Sequence, residues 1–207
     1  MRPEPECPRC GGPVRAPGLM SSDWRCDRHG PVLPLQSPLP PTRAGADRVL
    51  AGSAVPVWVV WPLPPGWLVT GFAVAGDDRQ GGRASVVALS GPAPLGGTAD
   101  LLVVAEEPGV GLGARYAGIA GPDPGSVSDL GPPQARVQAA GHEAPLWAVA
   151  APPDRAAYAG EARGLWLWLV AWPDIAAMVV LDRLELVDLR DVPALDLPFG
   201  APSPRLR

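Results

Sequence analysis

Three cysteines and a histidine close to the N-terminus are the residues whose types and spacing can do chemistry. They stand as Cys7-Pro8-Arg9-Cys10-Gly11-Gly12 and, after the fifteen residues from Gly11 to Arg25, as Cys26-Asp27-Arg28-His29-Gly30. Two ligand pairs, each spaced by two residues and set this far apart, have the pattern of a zinc ribbon with His29 in place of a fourth cysteine. Each pair can close a tight turn whose backbone N–H groups face the sulfurs. The glycine after each second ligand, Gly11 and Gly30, permits the positive φ that such a turn needs. Asp23 and Asp27 are the alternatives for the fourth position. The opening MRPEPECPRC holds no apolar export segment and the cysteine count is odd, so a disulfide framework is disfavoured. No thioredoxin-like βαβ pattern surrounds the C-x-x-C, which disfavours a redox pair. Four protein donors leave no open position for a water, so the expected cofactor is a structural Zn²⁺ bound by Cys7, Cys10, Cys26 and His29.

The segment between the pairs fits a hairpin. Val14 continues from the first turn, Pro17-Gly18 marks a bend, and Trp24-Arg25 return the chain to Cys26. A piece of roughly thirty residues cannot bury enough apolar surface to fold alone, so the ion decides whether this piece folds. Zinc ribbons often bind nucleic acid, but here Arg2, Arg9, Arg15, Arg25 and Arg28 face Glu4, Glu6, Asp23 and Asp27. Three thiolates with Zn²⁺ add about −1, which brings the ribbon near neutrality and favours a protein contact over a DNA reader.

The organisation that must position this site follows from punctuation. Residues 1–30 read as the ribbon and 31–41, PVLPLQSPLPP, as a proline-rich linker in an extended path. Residues 42–192 read as an α+β domain and 193–207 as a loosely held proline-rich tail. A helix is predicted over 42–53, capped by Thr42, with Ala46, Val49 and Leu50 as its apolar stripe. Prolines in the run from Val55 to Trp67 restrict it to an extended, edge-like segment. Strands are predicted at 67–75, 84–90 and 100–106 as an antiparallel meander, then a short helical piece near 111–120 and a mobile loop over 121–134. Further strands are expected at 135–141, 145–151, 155–161 and 164–171. A helix opened by Pro173 is expected to run to about Asp188. The fold class is α+β: an antiparallel sheet with a few short helices on one face.

Composition narrows function. The 207 residues carry a net charge of −4, and Pro 29 with Gly 25 make up a quarter of the chain. A mildly acidic balance excludes a chain-wide basic surface for nucleic acid. There is no lysine, which excludes Schiff-base chemistry and a Walker-type phosphate lysine. Residues 164–181 are nearly all apolar, but Pro173 and Asp174 fall at their middle, so they read as a buried strand and helix in a soluble, cytoplasmic protein, not a membrane span.

Within the larger domain, LWLWLVAW places Trp166, Trp168, Val170 and Trp172 on one strand face. That face is either core or a groove for an apolar ligand or partner, with Trp166, Trp168 and Trp172 as its candidate lining. Gly109-Val110-Gly111-Leu112-Gly113-Ala114 matches a dinucleotide-turn pattern, but Glu106 and Glu107 precede it and would repel a pyrophosphate. Those glutamates, and the pair Asp77-Asp78, read as solvated. His142 reads as a loop histidine. A pocket gathering His142, Arg115 and acidic residues would mark an enzyme; a stripe of Arg9, Arg15, Arg25 and Arg28 would mark a nucleic-acid surface.

Three runs, CPRCGGPVRAPGLMSSDWRCDRHGPVLPLQ, VWPLPPGWLVTGFAVAGDDR and ADLLVVAEEPGVGLGARYAGIAGPDPG, resemble an uncharacterised actinobacterial family known as a domain of unknown function. The resemblance covers nearly the whole chain. It implies a GC-rich actinomycete source and a cytosolic protein. Some members of that family carry a phosphotransacetylase label, and no residue pattern in this sequence supports it. The expected function is a zinc-ribbon protein, non-enzymatic, that contacts a protein partner or a ligand. An acyl- or phosphoryl-transferring enzyme and a nucleic-acid-associated regulator are the alternatives.

Overall fold

The computed structural model describes residues 4–19, 21–126 and 131–206. The N-terminal piece is a three-stranded antiparallel sheet of β1 (Val14–Arg15), β2 (Arg25–Cys26) and β3 (Gly30–Pro31) in the order β1-β2-β3. Cys26 lies on the middle strand, opposite Val14 on one side and Gly30 on the other.

α1 (Arg43–Gly52) begins where Thr42 leaves the extended region and its hydroxyl accepts the N–H of Gly45 at 3.1 Å. This side-chain cap satisfies one of the free donors of the first turn. β4 (Trp58–Val60) follows, then the meander β5 (Leu68–Asp77), β6 (Gly81–Pro92) and β7 (Thr98–Glu106). After α2 (Leu112–Ala117) come β8 (Ala135–Ala139), β9 (His142–Val149), β10 (Ala156–Ala162) and β11 (Leu165–Trp172). A 3-10 turn (Asp174–Ala176), α3 (Ala177–Leu181) and β12 (Glu185–Asp188) complete the large sheet. Part of the predicted loop at 121–134, residues 127–130, lies outside the described residues.

The nine strands run β4-β12-β8-β9-β10-β11-β7-β6-β5. All neighbours are antiparallel except β8 and β12, so the sheet is mixed, where a purely antiparallel one was expected. The α+β class stands. The helix expected from Pro173 to Asp188 is cut short. Arg183 takes a positive φ of 31°, and beyond it Leu186 and Asp188 turn inward in strand alternation. Period-two burial over Glu-Leu-Val-Asp outweighs the helical reading of that segment. β4, bounded by Pro56 and Pro62, is an edge strand, as expected of this proline-flanked run.

Both faces of the sheet are covered, because the sheet curls. β4 at one edge comes over β6 and β7, and with α1 and α3 it closes a core containing Trp58, Phe72, Leu101, Leu167 and Leu186. On the other face α2, Leu35 and Leu206 cover Val86, Leu102, Trp168 and Trp172. No helix among the described residues is long and apolar enough to cross a membrane.

The proline-rich segments are fastened to the outer edge of β5. Residues 34–39 exchange backbone hydrogen bonds with Phe72, Val74 and Gly76, and Leu35 is buried. The tail, expected to be loose, is held as well. Pro198, Gly200 and Ser203 bond to Val69 and Thr70, and Leu197 and Leu206 are buried. Proline lacks an N–H, but the residues between prolines still donate, which composition alone hides.

Asp188 ties the curl together. Its buried carboxylate accepts the N–H of Val57 (3.1 Å) and pairs with Arg190 (2.7 Å) and Arg163 (3.0 Å). Burial pushes its pKa up, but the Arg190 guanidinium and the Val57 and Arg190 N–H groups outweigh it and hold the carboxyl below the usual range. Its stabilisation is therefore present above the ordinary carboxylate pKa and lost as pH falls through the depressed one. Asp188→Ala is expected to lower stability by about 2–3 kcal/mol, a figure limited by the partial exposure of both arginines. A urea titration checks it; a midpoint unchanged from wild type contradicts it.

Candidate metal centre

The first knuckle is built by backbone. The Cys7 N–H donates to the Gly12 carbonyl at 2.7 Å and the Gly11 N–H to the Cys7 carbonyl at 2.8 Å. Gly11 and Gly30 take φ of 70° and 68°, the left-handed conformation anticipated after each second ligand. The β2–β3 hairpin then carries Cys26 and His29 to the first pair.

The four donor atoms of Cys7, Cys10, Cys26 and His29 all lie within 4.8 Å of one another. The Cys10 and Cys26 sulfurs are 3.8 Å apart, too far for a disulfide. His29 Nδ1 lies 3.5 Å from Cys7 Sγ and 3.7 Å from Cys26 Sγ. A tetrahedral zinc with ordinary bond lengths requires about 3.8 Å between sulfurs and about 3.5 Å between sulfur and nitrogen. The donor set fits a divalent ion of that kind, and the cysteines are free. His29 is the fourth donor of the cluster; Asp27 is engaged by Arg15 instead.

Without an ion the thiols differ. Burial pushes Cys7 up to about 11, against the pull of the Arg9 and Cys10 N–H groups. Burial acts in the same sense on Cys26, but the Arg28 and His29 N–H groups and the His29 ring outweigh it and bring that thiol down to about 6.

The knuckle is also joined to the large sheet. Arg9 reaches out to the carbonyls of Gly109 and Val110. Arg115 on α2 reaches in to the Cys7 carbonyl (3.2 Å) and the Glu6 carboxylate (3.0 Å). A cleft of about 280 Å³ opens between the two pieces, lined by Arg9, Asp23, Trp24, Asp77, Gln80 and Glu107 among others. Its carboxylates outnumber its one cation, and that cation is occupied at carbonyls.

The other candidates separate. Trp168 is fully buried under α2, with its ring against Gly113. Trp172 is buried beneath the guanidinium groups of Arg155 and Arg205. Trp166 is half-buried at the margin of the same cluster. The face offered as a ligand groove is therefore filled. His142 is exposed at the start of β9, its ring beside the Ala140 carbonyl, and it lines neither of the molecule's two described clefts. Of the arginines of the expected stripe, Arg9 is engaged at backbone carbonyls and Arg15 pairs with Asp27.

Sequence reading missed Glu106. It is fully buried on β7, where solvation was expected. Its carboxylate accepts the N–H groups of Leu112 (2.7 Å) and Gly113 (3.1 Å), capping α2. In the dinucleotide-like pattern those N–H groups would face a phosphate; here the protein's own carboxylate takes them. The indole N–H of Trp168 is close enough to favour the ionised form but meets no acceptor in hydrogen-bond geometry. Burial, helped by Asp123, nonetheless drives Glu106 up to about 7. The available signal was a glutamate ending an apolar strand six residues before a Leu-Gly helix start.

Ribbon, donor cluster and curled mixed sheet define an α+β protein with a candidate Cys₃His metal centre at its N-terminal end. The chain belongs to the family of unknown function DUF6758, whose model matches residues 1–206. Neither a curated protein nor a solved structure matches it significantly.

Proposed function

We propose that the protein is a non-enzymatic contact module whose ribbon is held by a structural Zn²⁺ and whose larger sheet meets a protein partner. The observation that carries this reading is the closed donor set. Three sulfurs and one imidazole nitrogen within 4.8 Å of one another would complete a tetrahedral set around a divalent ion and leave no position at which a metal-bound water could act. Cys7, Cys10, Cys26 and His29 would hold the ion, and the chemistry it supplies is cross-linking of two turns that cannot otherwise fold.

The surface that supports a partner lies at the other end of the molecule. A shallow groove of about 550 Å³ is lined by Pro64, Pro65, Trp67, Pro92, Met178 and Leu181, among others. Leu95, Met178 and Leu181 around it are 71%, 43% and 54% exposed. Clustered exposed apolar side chains of this kind mark interaction sites on soluble proteins. Tagged wild type purified from its native host is expected to carry zinc and a co-purifying protein. The Met178→Arg/Leu181→Arg variant is expected to keep the zinc and lose that protein. Recovery of the same companion with both chains would sink the partner half of the reading.

A further inference from the structure

We propose that Arg115, supplied by the large sheet's helix α2, is a positioning residue of the metal centre that sets how firmly the ion is retained. The inference rests on the zinc reading above. Arg115 is 108 positions from Cys7 in sequence, yet its Nη1 donates to the Cys7 carbonyl, which also accepts the Gly11 N–H that closes the knuckle. Its guanidinium lies against that turn. A Cβ placed on Gly11 would come 2.7 Å from Arg115 Nη2 and 3.0 Å from Cζ. Gly11 thus serves the turn's φ and also leaves room for the cation.

Charge gives the contact its purpose. Three thiolates, one neutral imidazole and Zn²⁺ leave a net charge of about −1. The other cation of the knuckle, Arg9, spends its donors on Gly109 and Val110, and Arg15 is paired with Asp27. Arg115 is the cation that the large sheet brings to the Cys7 knuckle; it is shared with Glu6, and its side chain is only 18% exposed, so water screens it weakly. Partners that hold a ligand residue from outside typically change metal affinity by about 10–100-fold when removed.

The test uses full-length protein and zinc transfer to a chromogenic chelator, with cobalt(II) absorption as a check on the donor set. Arg115→Gln and Arg115→Ala are expected to release zinc about 10–100-fold faster than wild type, with the cobalt bands unmoved. Arg115→Lys, which keeps the charge, is expected to fall between. Arg155 holds the same helix from its far side, donating to the Tyr116 carbonyl at 2.8 Å. Arg155→Gln loosens α2 without touching the knuckle, and its release rate is expected to stay at the wild-type value. The proposal is overturned by a wild-type rate in Arg115→Gln, by a lysine variant no better than glutamine, or by equal acceleration in Arg155→Gln. Wild type that carries no metal overturns the zinc reading itself, a separate and prior failure. Should Arg115→Ala not fold, the lysine and glutamine pair still decides.

Discussion

Replacing Cys7 with serine is expected to take the purified protein from one zinc per chain to essentially none and to unfold the ribbon. Cys7 is fully buried, and its sulfur is one of four donors in a set with no spare. Structural zinc contributes about 10–16 kcal/mol of apparent binding energy at neutral pH in small fingers, and a ribbon of this size has no core to replace it. Hydrogen exchange is expected to rise across residues 4–33 while the strands from β5 to β11 stay protected. The ligands must lose their protons to bind, and the metal-free Cys7 thiol sits at about 11, so zinc affinity falls as pH falls. Metal analysis decides: an unchanged zinc content in Cys7→Ser contradicts the site.

The second large effect belongs to Glu106. Glu106→Ala is expected to destabilise the protein by about 2–4 kcal/mol, since it orphans the buried N–H groups of Leu112 and Gly113 and leaves a void beside Trp168. Relief of a buried charge keeps the figure from being larger. Glu106→Gln retains the volume and is read for its pH dependence. The native carboxyl titrates near 7 and the unfolded one near 4.5, so between these values the folded state holds the extra proton. This group's contribution is full below about pH 4.5 and is lost as pH rises through 7, a change of about 3 kcal/mol. Denaturant midpoints at pH 5 and pH 8 are expected to differ less in Glu106→Gln than in wild type. Parallel profiles for the two chains would show that Glu106 does not titrate in this range.

How much of this was legible in the sequence depended on the range of the interaction. The knuckle glycines, the Thr42 cap and the three-strand meander are local matters of φ, capping and alternation, and all were readable. The parallel pairing of β12 with β8 joins residues about fifty apart and leaves no local mark. Glu-Leu-Val-Asp becomes a strand because the curl buries Leu186 and Asp188, which a helical reading of the preceding apolar run overlooked. Glu106 looked solvated because adjacent carboxylates in an extended chain point opposite ways, and only the tertiary fold says which one points inward. The link from Arg115 to Cys7 spans half the chain and was out of reach for the same reason.

The outer row of β5 has a consequence for how copies of this chain behave at high concentration. Bare sheet margins recruit further strands and grow into filaments. Here that margin is sealed by residues 34–39 from one side and 198–203 from the other, and the prolines within those two straps present no N–H for a newcomer to use. Early and late parts of the polypeptide thus meet on one strand and leave that margin of the sheet no free row of donors for a newcomer.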